Sequence, residues 1–120
     1  SLESLLADER VDLVIVNTPT YTHYELTKKV LEAGKHAVVE KAFTATAAEA
    51  MELKALAEKM NGKLSVFQNR RWDSDFKTVK HIVDRGVLGD LVEVSFSYDR
   101  FNPNLSPKLH KEVPRPGAGV

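Results

Sequence analysis

The hexapeptide Val11-Asp12-Leu13-Val14-Ile15-Val16 constrains the fold of this chain more than any other feature. It is short, rich in β-branched residues and apolar at every position but one, which predicts a strand buried on both faces. Asn17-Thr18-Pro19-Thr20 breaks it, and residues 22–33 then follow helical spacing, with Leu26, Val30, Leu31 and Ala33 inward and Gly34 as the stop. Ala37–Val39 reads as a second strand. In Thr46-Ala47-Ala48-Glu49 the Thr hydroxyl can accept a first-turn N–H while Glu49 reaches back to the cap. This opens a helix with Ala50, Leu53, Ala57 and Met60 toward the core, ended by Asn61-Gly62, and Lys63–Phe67 is a third strand. Strands alternating with helices through short loops mean an α/β fold with parallel pairing and right-handed crossovers. A short helix with Leu2, Leu5 and Leu6 on one side, ending near Asp8-Glu9-Arg10, precedes the first strand.

The pattern then changes. A further helix carries Phe76, Val79, Ile82 and Val83 on one face, with Gly86 beyond its end. From Asp90 to Arg100, Val92, Val94, Phe96 and Tyr98 alternate with Glu93, Ser95, Ser97 and Asp99. That alternation predicts a long strand of an antiparallel sheet with one face buried. A single long strand would leave a row of unpaired backbone groups, so association with another copy through this second sheet is expected. The domain boundary is placed at residues 72–74. Pro103, Pro107, Pro114 and Pro116 mark the last stretch as loop.

Composition excludes several functions. Seventeen Lys and Arg balance seventeen Asp and Glu, so the basic excess of a nucleic-acid or anionic-membrane binder is missing. With no cysteine there is neither a thiolate zinc site nor a cysteine nucleophile. His23, His36, His81 and His110 lack the close spacing of metal ligands, and no apolar run approaches the ~20 residues of a membrane span. There is no G-x-S-x-G elbow, no phosphate-binding P-loop and no G-x-G-x-x-G; Gly86-Val87-Leu88-Gly89 is a helix-to-strand turn. The start at Ser1 and the finish on Gly-Ala-Gly-Val read as those of an internal segment.

In open parallel sheets a site forms beyond the carboxyl ends of the strands. Here those ends are Asn17–Thr20, Glu40-Lys41 and Gln68–Trp72, all polar. The first could present a helix N-terminus to a polar or anionic group, or simply be a turn capped by Thr20 or Thr22 with His23 packed or solvated. At the second, a lysine at a sheet edge can act as general acid or base, its neighbouring carboxylate serving best when turned away from the ammonium. Alternatively the two form a solvated charge pair. The third combines amides, Arg70, Arg71 and Trp72; the guanidiniums suit anions, but pairing of either arginine with Asp73 or Asp75 would cap the following helix, leaving Trp72 as core at the domain junction.

Together these segments resemble the glucose–fructose oxidoreductase/inositol dehydrogenase family, Gfo/Idh/MocA. VDLVIVNTPTYTHYELTKKVLEAGKHAVVEKAFTATAAEA is similar to its fourth strand, helix and fifth strand. KLSVFQNRRWDSDFKTVKHIVDRGVLGDLVEVSF is similar to its sixth strand, crossover helix and first strand of the C-terminal sheet. QNRRWDSDF with YDRFNP is closest to the inositol dehydrogenase-like branch, and PGAGV resembles the glycine-rich segment before the family's second catalytic motif.

The resemblance implies that residues 1–72 are the second half of a Rossmann domain. Residues 73–120 would then begin an α+β domain for substrate and oligomer contacts. It implies NAD or NADP as cofactor, a small sugar, inositol or other polyol as substrate, a homo-oligomer and a cytoplasmic location. Lys41 matches the lysine of the Glu-Lys-Pro motif, which positions the substrate hydroxyl and takes part in proton transfer. Glu40 matches its glutamate on the nicotinamide-ribose side. Thr18, Pro19, Thr20 and His23 match the turn that lines the cofactor, and Asn69 a polar position beside the nicotinamide. Ala42 stands where the family has proline, which bears on how Lys41 is aimed. The glycine fingerprint is absent from this chain, so by itself the segment is expected to be inactive. The same fold also admits a non-catalytic cofactor-responsive protein or an NAD-dependent glycosidase.

Overall fold

The computed structural model describes residues 1–99 and 101. Contacts divide the chain into two compact units, one comprising Ser1–Phe67 and one beginning at Gln68.

In the first unit, helix α1 (Leu2–Ala7) is followed by β1 (Leu13–Val16), α2 (His23–Glu32), β2 (His36–Val39), α3 (Ala47–Lys59) and β3 (Leu64–Val66). The strands form one parallel sheet in the order β1-β2-β3. Register sets Val14 beside Ala37 and Val16 beside Val39, with Leu64 and Val66 continuing the same two rows. These positions share one face. Val16, Ala37 and Val39 form a buried cluster there with Val30 and Leu31 of α2 and Leu53 and Ala57 of α3. The capping box of α3 is formed as the sequence predicts: the Glu49 N–H donates to Thr46 Oγ1 at 3.2 Å and the Thr46 N–H to Glu49 Oε2 at 3.1 Å.

Gly34, at φ +74°, turns the chain from α2 into β2 in a conformation that costs other residues a Cβ clash. Gly62 admits close packing after α3, since a Cβ there would come 3.2 Å from Leu31 Cδ2.

Three expectations about burial are corrected. The β1 run is buried on one face only: Leu13 is 46% and Ile15 66% exposed, because the described helices that pack on the sheet bury its other face. A β-branched run looks the same whether one or both faces are covered. Met60 is exposed, lying past the last turn of α3 as its C-cap. Ala33, placed inward, is also exposed as the C-cap of α2.

Lys35 was not singled out by sequence, yet it is buried. Its ammonium donates to the carbonyls of Asp8 (2.9 Å) and Val11 (2.7 Å), fastening the end of α1 to the turn before β2. A cation beside the last carbonyls of a helix also complements its dipole. The Asp8 carboxylate accepts from the Arg10 side chain at 3.0 and 2.8 Å and from its backbone N–H. The Arg10 side-chain hydrogen bonds, then the backbone one, hold the Asp8 carboxyl below its ordinary value, with Lys35 adding a smaller pull. A folded-state value below the unfolded one contributes stability above the ordinary carboxyl range, and this is lost as pH falls through the lowered value. Asp8→Asn is therefore expected to flatten the acid limb of a plot of unfolding midpoint against pH. An unchanged limb would contradict the pairing.

In the second unit a short 3₁₀ turn (Asn69–Trp72) leads into α4 (Ser74–Asp84). Arg70 Nη1 donates to Asp73 Oδ2 at 2.8 Å, so one of the arginine–aspartate pairs foreseen from sequence is formed. Trp72 is exposed rather than core, with Lys77 Nζ 5.5 Å from its ring centroid. The apolar face of α4 is also open, Phe76, Val79 and Val83 each being exposed. The expected strand from Asp90 pairs with no other strand among the described residues, and Val92 is 98% exposed. A strand is defined by its neighbour's hydrogen bonds, and alternation supplies only the side chains. Arg100, at the end of that expected strand, and the proline-rich stretch lie outside the described residues.

Candidate functional site

Because β1 and β2 are adjacent and parallel, their carboxyl ends emerge side by side. The Glu40 N–H still donates to the Val16 carbonyl at 3.0 Å, and beyond that bond the two chains diverge into 17–20 and 40–43. His23, in the first turn of α2, reconnects them. Its ring is 1% exposed, with Nε2 2.8 Å from the Thr18 carbonyl oxygen and Nδ1 2.8 Å from that of Ala42 and 3.2 Å from that of Phe43. The ring nitrogens are thus occupied by backbone oxygens. Of the readings left open by sequence, the packed one describes this histidine.

The turn between β1 and α2 is closed by its own hydroxyls. Thr20–Thr22 forms a 3₁₀ turn after Pro19. Thr22 Oγ1 donates its proton to the Pro19 carbonyl at 2.7 Å rather than capping α2. The 2.7 Å contact between the Thr18 and Thr22 hydroxyls must then run from Thr18 as donor. What the exposed Thr18 oxygen offers a ligand is its two lone pairs. Thr20 is half-buried and Pro19 exposed.

Glu40 Oε2 accepts the Lys41 backbone N–H at 3.2 Å, so this carboxylate folds onto its own chain. No ion pair joins it to the Lys41 ammonium among the described residues. Lys41 is exposed, and its Nζ has no hydrogen-bond partner among the described residues. The Lys41–Ala42 peptide is cis. The structure therefore brings Thr18, Pro19, His23, Glu40 and Lys41 to one sheet edge: a fixed acceptor, a carboxylate with one oxygen free and an unpaired ammonium. Asn69 opens the 3₁₀ turn of the second unit and is exposed.

Sequence reasoning had no means to find the Ala42 and Phe43 carbonyls, since backbone acceptors leave no side-chain signal. It also missed Tyr24, whose hydroxyl donates to Glu52 Oε2 at 2.5 Å and ties α2 to α3 behind the site. A cavity of about 540 Å³ within the second unit is lined by Arg70, Arg71, Phe76, Phe96 and Tyr98. No group of three potential metal ligands occurs among the described residues. None of the helices there is long and apolar enough to cross a membrane.

A nicotinamide dinucleotide can be tested against this donor set. The edge provides an acceptor and a free carboxylate oxygen for ribose hydroxyls or a carboxamide, and an ammonium for a substrate hydroxyl. It provides no glycine-lined helix start for the pyrophosphate, in keeping with the absent fingerprint. The residues present fit the nicotinamide end of such a cofactor.

The model of an oxidoreductase family with an NAD-binding Rossmann fold, Gfo/Idh/MocA, matches residues 1–68. The chain is 47% identical over 120 residues to an uncharacterized oxidoreductase of Schizosaccharomyces pombe, covering 100% of this chain and 33% of that protein. It is 44% identical over 111 residues to a scyllo-inositol 2-dehydrogenase (NADP(+)) of Bacillus subtilis, covering 92% and 31%. A solved oxidoreductase structure from Yersinia pestis superposes with a TM-score of 0.84 at 42% identity, covering 90% of this chain and 31% of that one. The chain thus spans about a third of the length of these relatives. With a parallel α/β sheet and a family model that matches more than half of its length, the chain belongs to the Gfo/Idh/MocA family of oxidoreductases.

Proposed function

We propose that the intact protein moves hydride between NAD or NADP and the carbinol carbon of a small polyol, an inositol or related sugar, with Lys41 as the proton-transferring group. The observation that carries this reading is the Lys41 ammonium, without a partner among the described residues, at the carboxyl edge of the parallel sheet beside a turn held in place by His23. When bound, the nicotinamide ring supplies the hydride acceptor or donor. In the oxidation direction the substrate hydroxyl would hydrogen-bond to Lys41 Nζ, which would take its proton as the carbinol carbon gives up hydride to a bound nicotinamide. Lys41 also orients that hydroxyl, and a side chain free of other partners can do both.

Glu40 serves the ribose through its free oxygen, and Thr18 accepts from a cofactor hydroxyl or amide. Pro19 and Thr20 shape the wall, and Asn69 keeps the cofactor-binding role that the resemblance implies. The boundary at residues 72–73 and assembly through residues 90–100 belong to the same reading. The scyllo-inositol dehydrogenase relative favours inositols over other polyols. That relative is named for NADP(+), while the matching family is NAD-binding.

The test is nicotinamide reduction by the intact protein with each of the two cofactors against a panel of inositols, aldoses and acyclic polyols. Turnover on at least one cyclic polyol or sugar is expected. Cofactor binding without turnover across the panel would favour the non-catalytic reading, and aglycone release from a glycoside would favour the glycosidase.

A further inference from the structure

The unusual feature of the site is that both nitrogens of a buried histidine face oxygens that can only accept. The three carbonyls around it, Thr18 on one side and Ala42 and Phe43 on the other, belong to the two segments that leave the sheet edge, and they occupy the ring nitrogens of a side chain that is itself buried.

We infer that His23 is a positioning residue, a clamp that fixes the segment after β2 against the turn after β1 and thereby aims Lys41. The inference rests on the proposed role of Lys41 for its catalytic consequence, though the clamp stands on geometry alone. Lys41 is the residue immediately before Ala42, so the carbonyl that His23 grips is within one residue of the ammonium's own backbone. On the other side the gripped carbonyl belongs to Thr18, whose hydroxyl is the fixed acceptor of the turn. One ring therefore sets the spacing between the acceptor and the ammonium, and it does so without presenting either nitrogen to a ligand. The buried position allows no water to take over either hydrogen bond when the ring is replaced by an apolar one.

The experiment has two readouts. In the intact protein labelled with nitrogen-15, His23→Phe is expected to shift the backbone signals of residues 18–19 and 40–43 while α3 signals stay in place. Unmoved signals at residues 40–43 would overturn the clamp. In turnover, His23→Phe is expected to lower kcat by about 10- to 100-fold with little change in the cofactor KM, the cost of misaiming a catalytic group. His23→Gln, which keeps one donor, should recover part of the loss. Equal effects on kcat and KM, with no rescue by Gln, would overturn the positioning role. If the unsubstituted protein oxidises no polyol, the functional reading fails while the backbone signals still decide the clamp.

Discussion

Lys41→Ala is expected to lower kcat of the intact protein by about 10²- to 10⁴-fold, the range that a positioned general acid or base supplies. The ammonium has no structural partner among the described residues and its side chain is exposed, so the substitution removes nothing that holds the fold together. The unfolding midpoint should therefore stay within the small range of ordinary surface changes, about 0.5 kcal/mol. That separation of activity from stability is the signature sought. Lys41→Arg keeps a cation but cannot give up its proton at neutral pH, and should stay near the alanine variant in kcat while retaining substrate affinity. Unchanged turnover in Lys41→Ala would remove this residue from the mechanism.

Leu31→Ala should have the largest effect on stability, about 2–5 kcal/mol, read as a lowered denaturant midpoint. Leu31 is 0% exposed and lies where α2 meets the sheet and the Gly62 turn. The loss combines transfer of the side chain with the cavity left behind. The same turn limits collapse into that cavity, since Gly62 has no side chain with which to fill it. A change below about 1 kcal/mol would show that the site relaxes or that this core does not govern unfolding. Leu31 also sits two turns along α2 from His23 on the buried side, so a misplaced α2 would carry the clamp with it.

Much of the first unit was legible in the residues. Helical spacing selected Val30, Leu31, Leu53 and Ala57, all buried, and the Thr46–Glu49 box formed as read. Parallel pairing followed from alternation with helices, because short crossovers leave few other arrangements. Legibility ended where a result depends on partners rather than on pattern. The β1 run could not reveal that Leu13 and Ile15 are open, and the alternation in residues 90–99 could not supply a neighbouring strand.

The site shows the same division. The positions of Lys41, Glu40 and Thr18 at one edge follow from adjacent parallel strands, which the sequence pattern already predicts. His23 was placed at the edge for a different reason: the resemblance assigned it to the cofactor turn, whereas its hydrogen bonds go to backbone carbonyls nineteen and twenty residues away. Lys35 is the same kind of case, a lysine that looks solvated in the sequence but is buried against the carbonyls of Asp8 and Val11.

The most direct measurement follows the label. A cyclic polyol carrying deuterium at the carbinol carbon is turned over by the intact protein with oxidised nicotinamide cofactor, and the reduced cofactor is analysed by mass spectrometry and NMR. Direct hydride transfer predicts deuterium on the nicotinamide ring and none in solvent, at a rate that falls sharply in Lys41→Ala. Unlabelled reduced cofactor, or label released to water, would contradict the account.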